Sequence, residues 1–327
     1  MTIKTHQLII CIILAIIISL LACELVCRFI IGYPVYSVDS KIHYRQGGEY
    51  WTTFWQPHAK QWNVEAGNEV ITFNNLGLPG IDVDLSKKHY IAVLGSSYVE
   101  AMQMFPEKNS CSYLANFVSR NYKDYSVMNL GYYRHDPFDS WWRMEYFKKK
   151  FPIDFAILVL TSDNTTWFKS HQHPLSFIPA NDFGRRNNSK IVNFTIALRN
   201  FSSFINLLAI SQKGEIKLSP DTNPIQLSQD NQESSNNKMV FSSDMSQTLL
   251  TYKKTCNNFI LVSIIDDAEY NHMLETFTSQ NDIFLQVNPL LKKQYKLKNG
   301  GHLNEEGNKL LGNVLIRAFE KYQEKKS

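Results

Sequence analysis

The 327-residue chain is poor in the residues on which several common chemistries depend. It has five cysteines, and three of them, Cys11, Cys23 and Cys27, lie in one apolar stretch near the N-terminus. Only Cys111 and Cys256 remain, in no CxxC pair and no Cys/His cluster. This argues against a zinc site and leaves one disulfide possible but not indicated. There is no long run of lysine or arginine, and 34 basic against 30 acidic side chains give a net charge of only +4. No nucleic-acid partner is expected. There is no phosphate-cradling glycine loop either, since GSSYVEAM at 95–102 lacks the lysine that such a loop needs. His43, His58, His89, His171, His173 and His272 show no metal-ligand spacing. Neither a cofactor nor a metal is expected.

What the chain does have is one long hydrophobic run. Leu8 to Cys23 is apolar apart from Ser19, and Phe29–Ile31 continues it past Glu24 and Arg28. The stretch from Leu8 to Tyr33 is long enough to cross a bilayer as one helix. Glu24 and Arg28, four residues apart, can pair on one helix face near the membrane boundary. Lys4 before the run favours a cytoplasmic N-terminus and an exported body. Two processed forms compete with an uncleaved anchor. A signal peptide would need a small-residue cleavage region, which Glu24, Cys27 and Arg28 do not make. Leu20-Leu21-Ala22-Cys23 is an imperfect lipoprotein box with a bulky leucine in it. The uncleaved anchor is preferred, and all three forms put residues 34–327 outside the cytoplasm. The expectation is a single-pass protein of the inner membrane with a periplasmic body.

Three regions follow: an anchor at 1–33, an aromatic-rich extension at 34–89, and an α/β domain at 90–327. The extension carries Tyr44, Tyr50, Trp51, Phe54, Trp55 and Trp62, for which packing is a safer reading than sugar stacking. Val70–Phe73 reads as a short strand before the turn-forming Asn-Asn-Leu-Gly-Leu-Pro-Gly at 74–80. From Tyr90 on, strands and helices alternate. Strands are expected at Ile91–Leu94, Ser126–Leu130, Phe155–Leu160, Phe259–Ile265 and Ile283–Val287. A helix is marked by Tyr113, Leu114, Phe117 and Val118, and Asp136 with Pro137 can start another. Phe194, Leu198, Phe201, Ile205 and Leu208 trace one amphipathic helix. Residues 211–238, rich in Ser, Asn, Gln and Asp, read as a flexible insert. Met245–Lys254 reads as a helix, and Leu310, Leu311, Val314, Leu315, Ala318 and Phe319 mark a closing one. The fold class is α/β, a roughly five-stranded parallel sheet between helical layers.

Chemistry centres on YIAVLGSSYVEAMQ at 90–103. A buried strand, a tight turn and a helix start place a serine at the carboxyl edge of a parallel sheet, beside N–H groups able to receive an anion. An ordinary serine cap is the bland alternative. Three other segments belong to the same sheet edge: Asn129-Leu-Gly131, Asp163-Asn164, and Asn299-Gly-Gly-His302 before the last helix. A serine, a glycine N–H, an amide and a histidine suffice for acyl transfer. His135 and Asp136 could line the cleft, but a surface loop is the preferred reading; Asp266 and Asp267, a carboxylate pair that could suggest metal or acid–base work, are read as caps for the next helix.

Four blocks in this order resemble the SGNH (GDSL-type) hydrolases: VLGSSYVEAMQM, MNLGYY, IDFAILVLTSDN and GGHLNEEGNKLLG. The resemblance covers most of the chain after the anchor and implies a flavodoxin-like three-layer sandwich. It also implies Ser97 as nucleophile, His302 as base and the Gly131 N–H as an oxyanion donor. Three positions depart from the family pattern. Ser96 replaces an aspartate that is not the nucleophile. Asp163-Asn164 reverses the usual Asn-Asp, so a carboxylate stands where the oxyanion amide belongs, unless Asn164 serves by a one-residue shift. Asn299 occupies the place of the acid that orients the histidine. The implied activity is hydrolysis of O-acyl esters, most simply O-acetyl, with acylated cell-envelope carbohydrate or another ester as substrate. An O-acyltransferase acting on exported polysaccharide and a non-catalytic binding or assembly protein are the alternatives. No protein partner can be named.

Overall fold

The structure, a computed structural model, describes residues 5–32, 34, 38–45, 48–63, 69–133, 135–161, 190–211, 241–256, 258–290, 292–297 and 301–327. Helix α1 (Thr5–Leu25) continues as one π-helical turn over Val26–Ile30. Together they form a 26-residue apolar helix whose most apolar window has a mean hydropathy of 3.1 and no buried residue. Glu24 and Arg28 pair at 2.6 Å, as their spacing predicts.

The extension is more ordered in pattern than the sequence suggests. β1 (Val38–Arg45) pairs antiparallel with β2 (Gly48–Trp55), and β3 (Lys60–Asn63) with β4 (Glu69–Thr72). Of these four only β4 was signalled by a β-branched run. Trp55 stacks on Phe73 at 4.6 Å, so these two aromatics pack on each other. Leu78 and Val83 are buried in the same apolar cluster as Tyr90. The end of the extension therefore forms part of the core.

The body is a five-stranded parallel sheet. β5 (His89–Leu94) leads through the single turn α2 (Ser97–Glu100) and α3 (Ser110–Asn121) to β6 (Tyr125–Asn129). α4 (Pro137–Lys148) then leads to β7 (Ile153–Leu160). After α5 (Lys190–Phe201), α6 (Ser203–Ser211) and α7 (Ser243–Thr255) comes β8 (Asn258–Ser263). α8 (Ala268–Gln280), β9 (Phe284–Val287) and α9 (Glu305–Lys326) complete the chain. The strand order is β6-β5-β7-β8-β9, the flavodoxin-like 2-1-3-4-5 arrangement. Register runs Val127–Ile91–Phe155–Asn258 across the first four strands.

Period-two alternation divides the core in two. Tyr90, Ala92 and Leu94 join Met128, Leu158, Met144, Leu249 and Tyr252 on one face. Ile91 and Val93 join Val127, Ile157, Leu114, Val118, Leu315 and Phe319 on the other. Both faces of the sheet are covered by helices, as an all-parallel sheet requires. This is the α/β three-layer sandwich that the sequence implies.

The expected start of α4 is realised: Pro137 opens it, and the Asp136 carboxylate accepts from the Asp139 N–H at 2.8 Å. Asp267 likewise caps α8 through the Tyr270 N–H at 2.9 Å. Two expectations need correction. The single amphipathic helix expected through Phe194–Leu208 is two helices, α5 and α6, broken at Ser202. The break arises because the Ser202 hydroxyl accepts from the Ile205 N–H at 3.1 Å, capping a new helix. His135 and Asp136 do not form a surface loop; both are buried, with the His135 ring 4.6 Å from that of Tyr132. The insert expected at 211–238 lies, from 212 on, outside the described residues. All five cysteines are free, Cys111 and Cys256 both in the core. Burial pushes the Cys256 thiol up to about 11, which leaves it unreactive.

Phe319 of α9 sits fully buried between Tyr122 and Phe155, with ring centroids at 5.0 and 4.9 Å. Phe319→Ala is expected to destabilise the fold by about 3–5 kcal/mol. A loss of less than about 1 kcal/mol, taken as the shift of the urea midpoint multiplied by an unchanged slope, would contradict this packing.

Candidate active site

At the C-terminal end of β5 the chain makes its tightest manoeuvre. Gly95 has φ +155°, and a Cβ there would lie 2.6 Å from Val99 Cγ2 and 3.0 Å from the Val159 carbonyl oxygen. Only glycine lets α2 fold back this closely over the ends of β5 and β7. Ser96 follows as a buried residue in extended conformation, its hydroxyl 3.4 Å from Thr161 Oγ1 at the end of β7. Ser97 is the first residue of α2 and is half-buried. It stands where the strand order reverses, the crevice in which open α/β sheets place their ligands.

The end of β6 is knitted to the same turn. Asn129 Nδ2 donates to the Val99 carbonyl at 2.8 Å and to Asn109 Oδ1 at 3.2 Å. Asn109 in turn donates to the Glu100 carbonyl at 3.0 Å and caps α3 by accepting from the Cys111 N–H at 2.9 Å. Gly131 lies against α2, where a Cβ would come within 2.4 Å of the Glu100 nitrogen. Its N–H donates to Asn129 Oδ1 at 3.0 Å. The Tyr132 N–H closes onto the Gly95 carbonyl at 3.1 Å.

The loop before α9 comes to this place through Tyr98, the neighbour of Ser97. The Tyr98 hydroxyl donates to the Gly301 carbonyl at 2.8 Å, and its ring meets the His302 ring edge-on at 6.0 Å. Gln103 donates to the Leu303 carbonyl at 3.0 Å, and the Leu297 N–H to the His302 carbonyl at 2.8 Å. Asn304 then caps α9 through the Gly307 N–H at 2.9 Å. Gly131 and His302 thus lie on loops that are each bonded to the turn bearing Ser97. Asp163, Asn164 and Asn299 lie outside the described residues.

Beneath this edge is a buried charged group of which the sequence reading named only His135 and Asp136. Glu100, His135, Asp136, Asp139 and Arg143 are all buried. The Arg143 guanidinium lies 4.9 Å from the centre of the Tyr132 ring. Burial pushes the Glu100 carboxyl up to about 7, against the Arg143 charge, a hydrogen bond from the Tyr133 backbone and the His302 charge. Burial, and then the Arg143 charge, hold the His135 imidazole well below its ordinary range. One signal was available in the sequence. Arg143 lies three residues after Ser140 and four before Phe147, on the inward face of α4 with Met144. An arginine on such a face needs a partner.

No model of a known protein family matches the sequence, and no curated protein matches it. Among solved structures, the chain is similar to the psychrotrophic esterase EstA from Pseudoalteromonas sp. The identity is 12%, over 72% of this chain and 98% of that one, with a TM-score of 0.41. It is similar to the acetyl xylan esterase AlAXEase at 14% identity, over 70% and 98% of the chains, with a TM-score of 0.37. A member of the lipolytic protein G-D-S-L family from Veillonella parvula matches at 10% identity, over 71% and 98%, with a TM-score of 0.36. At these identities and TM-scores the activities of those proteins do not carry over to this chain.

Two measurements check the geometry. Asn129→Ala removes the joint between β6, α2 and α3 and leaves buried partners unsatisfied. An equilibrium denaturation loss of about 1–3 kcal/mol is expected. Glu100 concerns pH. The folded protein keeps its proton between about 4.5 and 7, where the unfolded chain has released it. Its contribution to stability is therefore full below 4.5 and lost as pH rises through 7. The melting temperature of wild type minus that of Glu100→Gln should fall across this window, His135 being common to both. A difference that is flat, or rises with pH, would show the carboxylate ionised throughout.

Proposed function

We propose that this chain is a membrane-anchored, extracytoplasmic serine esterase of SGNH type acting on O-acyl esters. Residues 1–33 serve as the anchor, and the α/β domain from residue 90 carries the site. Ser97 is the nucleophile and His302 the base. Ser97 Oγ attacks the acyl carbonyl carbon while its proton passes to the His302 imidazole. The tetrahedral oxyanion collapses, the ester C–O bond breaks, and the imidazolium protonates the departing alcohol oxygen. Water, deprotonated by His302, then releases the acid and regenerates Ser97. The Gly131 N–H, buried beside the same turn, serves as an oxyanion donor when it leaves Asn129 Oδ1 for the substrate oxygen. Asn164 supplies an amide to the oxyanion if it takes the place that Asp163 holds in the motif. Asn299 orients His302 as a neutral amide.

One observation carries this reading. Tyr98, adjacent in sequence to Ser97, holds the His302 loop by a hydrogen bond and a ring contact at the reversal point of the sheet. Neither Ser97 nor His302 belongs to the buried apolar core, so packing does not account for them. The apolar N-terminal helix supports a tether and hence a substrate at the cell envelope, acylated carbohydrate being the simplest. Transfer of the acyl group to a sugar hydroxyl instead of water uses the same groups.

A second reading, a binding or assembly protein with a silent site, is favoured by the Gly131 N–H being engaged with Asn129 Oδ1. Asp163 and Asn299 stand on the same side of the question. Purified protein should hydrolyse an aryl acetate and take up a fluorophosphonate probe. Ser97→Ala should abolish labelling, and both it and His302→Ala should lower turnover by at least about 10³-fold. Folded wild-type protein that neither labels nor turns over the ester would decide for the second reading.

A further inference from the structure

The pair formed by Glu24 and Arg28 does more than mark the end of an apolar helix. The Glu24 carboxylate accepts four hydrogen bonds. They come from Arg28 Nη2 at 2.6 Å, the Ser202 hydroxyl at 2.7 Å, the Phe204 N–H at 3.0 Å and the Ser203 N–H at 3.1 Å. Arg28 Nη2 also donates to the Phe201 carbonyl at 2.9 Å. The carboxylate thus sits on the N-terminus of α6, where a helix presents free N–H groups and the positive end of its dipole. The guanidinium meets the C-terminus of α5, where carbonyls and negative potential await a cation. The helix break at Ser202 and the charged pair four residues apart, Glu24 on α1 and Arg28 on the π-helical turn after it, fit each other as socket and plug. Asn206, which accepts from Arg199 Nε at 3.1 Å, adds a bond of 3.1 Å to the Pro34 carbonyl.

This docking places α5 and α6 against the end of the apolar helix, and large apolar side chains crowd the surface beside it. Phe201 is 82% exposed and Phe194 63%, while Phe29 and Ile30 on the N-terminal helix are 75% and 79% exposed. A hydrocarbon layer of about 30 Å takes roughly 20 residues, so a span beginning at Leu8 ends near Cys27. The clamp then falls at the lipid boundary, where an unpaired charge would be costly and a fully bonded one is tolerated. A helix pair held there cannot keep two exposed phenylalanines in water without loss, whereas the interface accepts them.

We infer that α5 and α6 form a membrane-interface element, clamped to the anchor through Glu24 and Arg28, that sets Phe194 and Phe201 into the lipid beside Phe29 and Ile30. The occupant of this apolar surface is the bilayer that holds the anchor, since the surface continues that of the anchor itself. The inference rests on the membrane-anchor reading of the N-terminal helix and is independent of the catalytic one. Its consequence is that the body is held to the membrane at two points, the anchor and the α5–α6 pair.

The test uses the full chain in vesicles of phosphatidylethanolamine and phosphatidylglycerol, with photoreactive benzoylphenylalanine placed at position 17, 85, 194 or 201. Ile17 lies mid-anchor, and Leu85 is an exposed apolar residue in the turn before β5. Lipid capture, read by mass spectrometry, is expected at 17, 194 and 201 and not at 85. Adding Glu24→Ala should lower capture at 194 and 201 several-fold and leave 17 unchanged. Capture at 17 but not at 194 or 201 overturns the inference and leaves the anchor standing. No capture at 17 overturns the anchor reading and the inference with it. Crosslinking at 201 to a second copy of the chain, seen as a dimer band, assigns the surface to self-association and also overturns it. If Glu24→Ala leaves capture at 201 unchanged, the clamp is refuted.

Discussion

The buried side chain of Asn129 is the joint on which the functional edge of this molecule depends. Asn129 ends the edge strand β6, and its buried amide has two donors and an acceptor to satisfy once water is excluded. Here they are met by Val99, Asn109 and Gly131, one partner in each neighbouring element. Because each bond is buried, losing one leaves a polar group stranded and costs more than the bond itself contributes. The network therefore fixes the turn after β5, the start of α3 and the loop after β6 as one unit. Ser97 inherits its position from that unit.

The second constraint is steric. Gly95 and Gly131 are the places where α2 lies closest to the strand ends, and a Cβ at either would collide with it. With α2 pressed down, Tyr98 reaches the Gly301–His302 loop, which is about two hundred residues away along the chain. The same compression forces Glu100 inward, where burial works against its charge and Arg143 and His302 work for it. A carboxyl so balanced couples the electrostatics of the site to the packing of α4. A charge buried beneath this edge acts through a low dielectric.

At the other end of the chain, charge again decides geometry. Glu24 and Arg28 read in the sequence as an i, i+4 pair within an apolar run. In three dimensions they are the complement of a helix break, with the carboxylate at the start of α6 and the guanidinium at the end of α5. The apolar run and the amphipathic segment around Phe201, separated by about 170 residues, are joined by that clamp.

The sequence alone determined what depends on local pattern. Short, partly β-branched runs such as Ile91–Leu94 and Phe155–Leu160 read as strands buried on both sides, and their alternation with segments of helical spacing points to a parallel sheet. Asp136-Pro137 fixed a helix start, and the serine in the turn after the first sheet strand marked the candidate site. Tertiary structure decided what depends on partners distant in the chain. Strands β1, β2 and β3 carry too little apolar periodicity to declare themselves, whereas β4 is legible in the β-branched run at Val70–Phe73. Ser202 breaks a helix that periodicity would have continued, and Glu24 receives the new N-terminus. His135 looks like a loop residue until Tyr132 and Arg143 close around it. Glu100 and Arg143 are ordinary charged residues until burial removes the water that would have screened them. Hydrophobic periodicity is a property of neighbours along the chain, whereas desolvation and hydrogen-bond satisfaction are properties of neighbours in space.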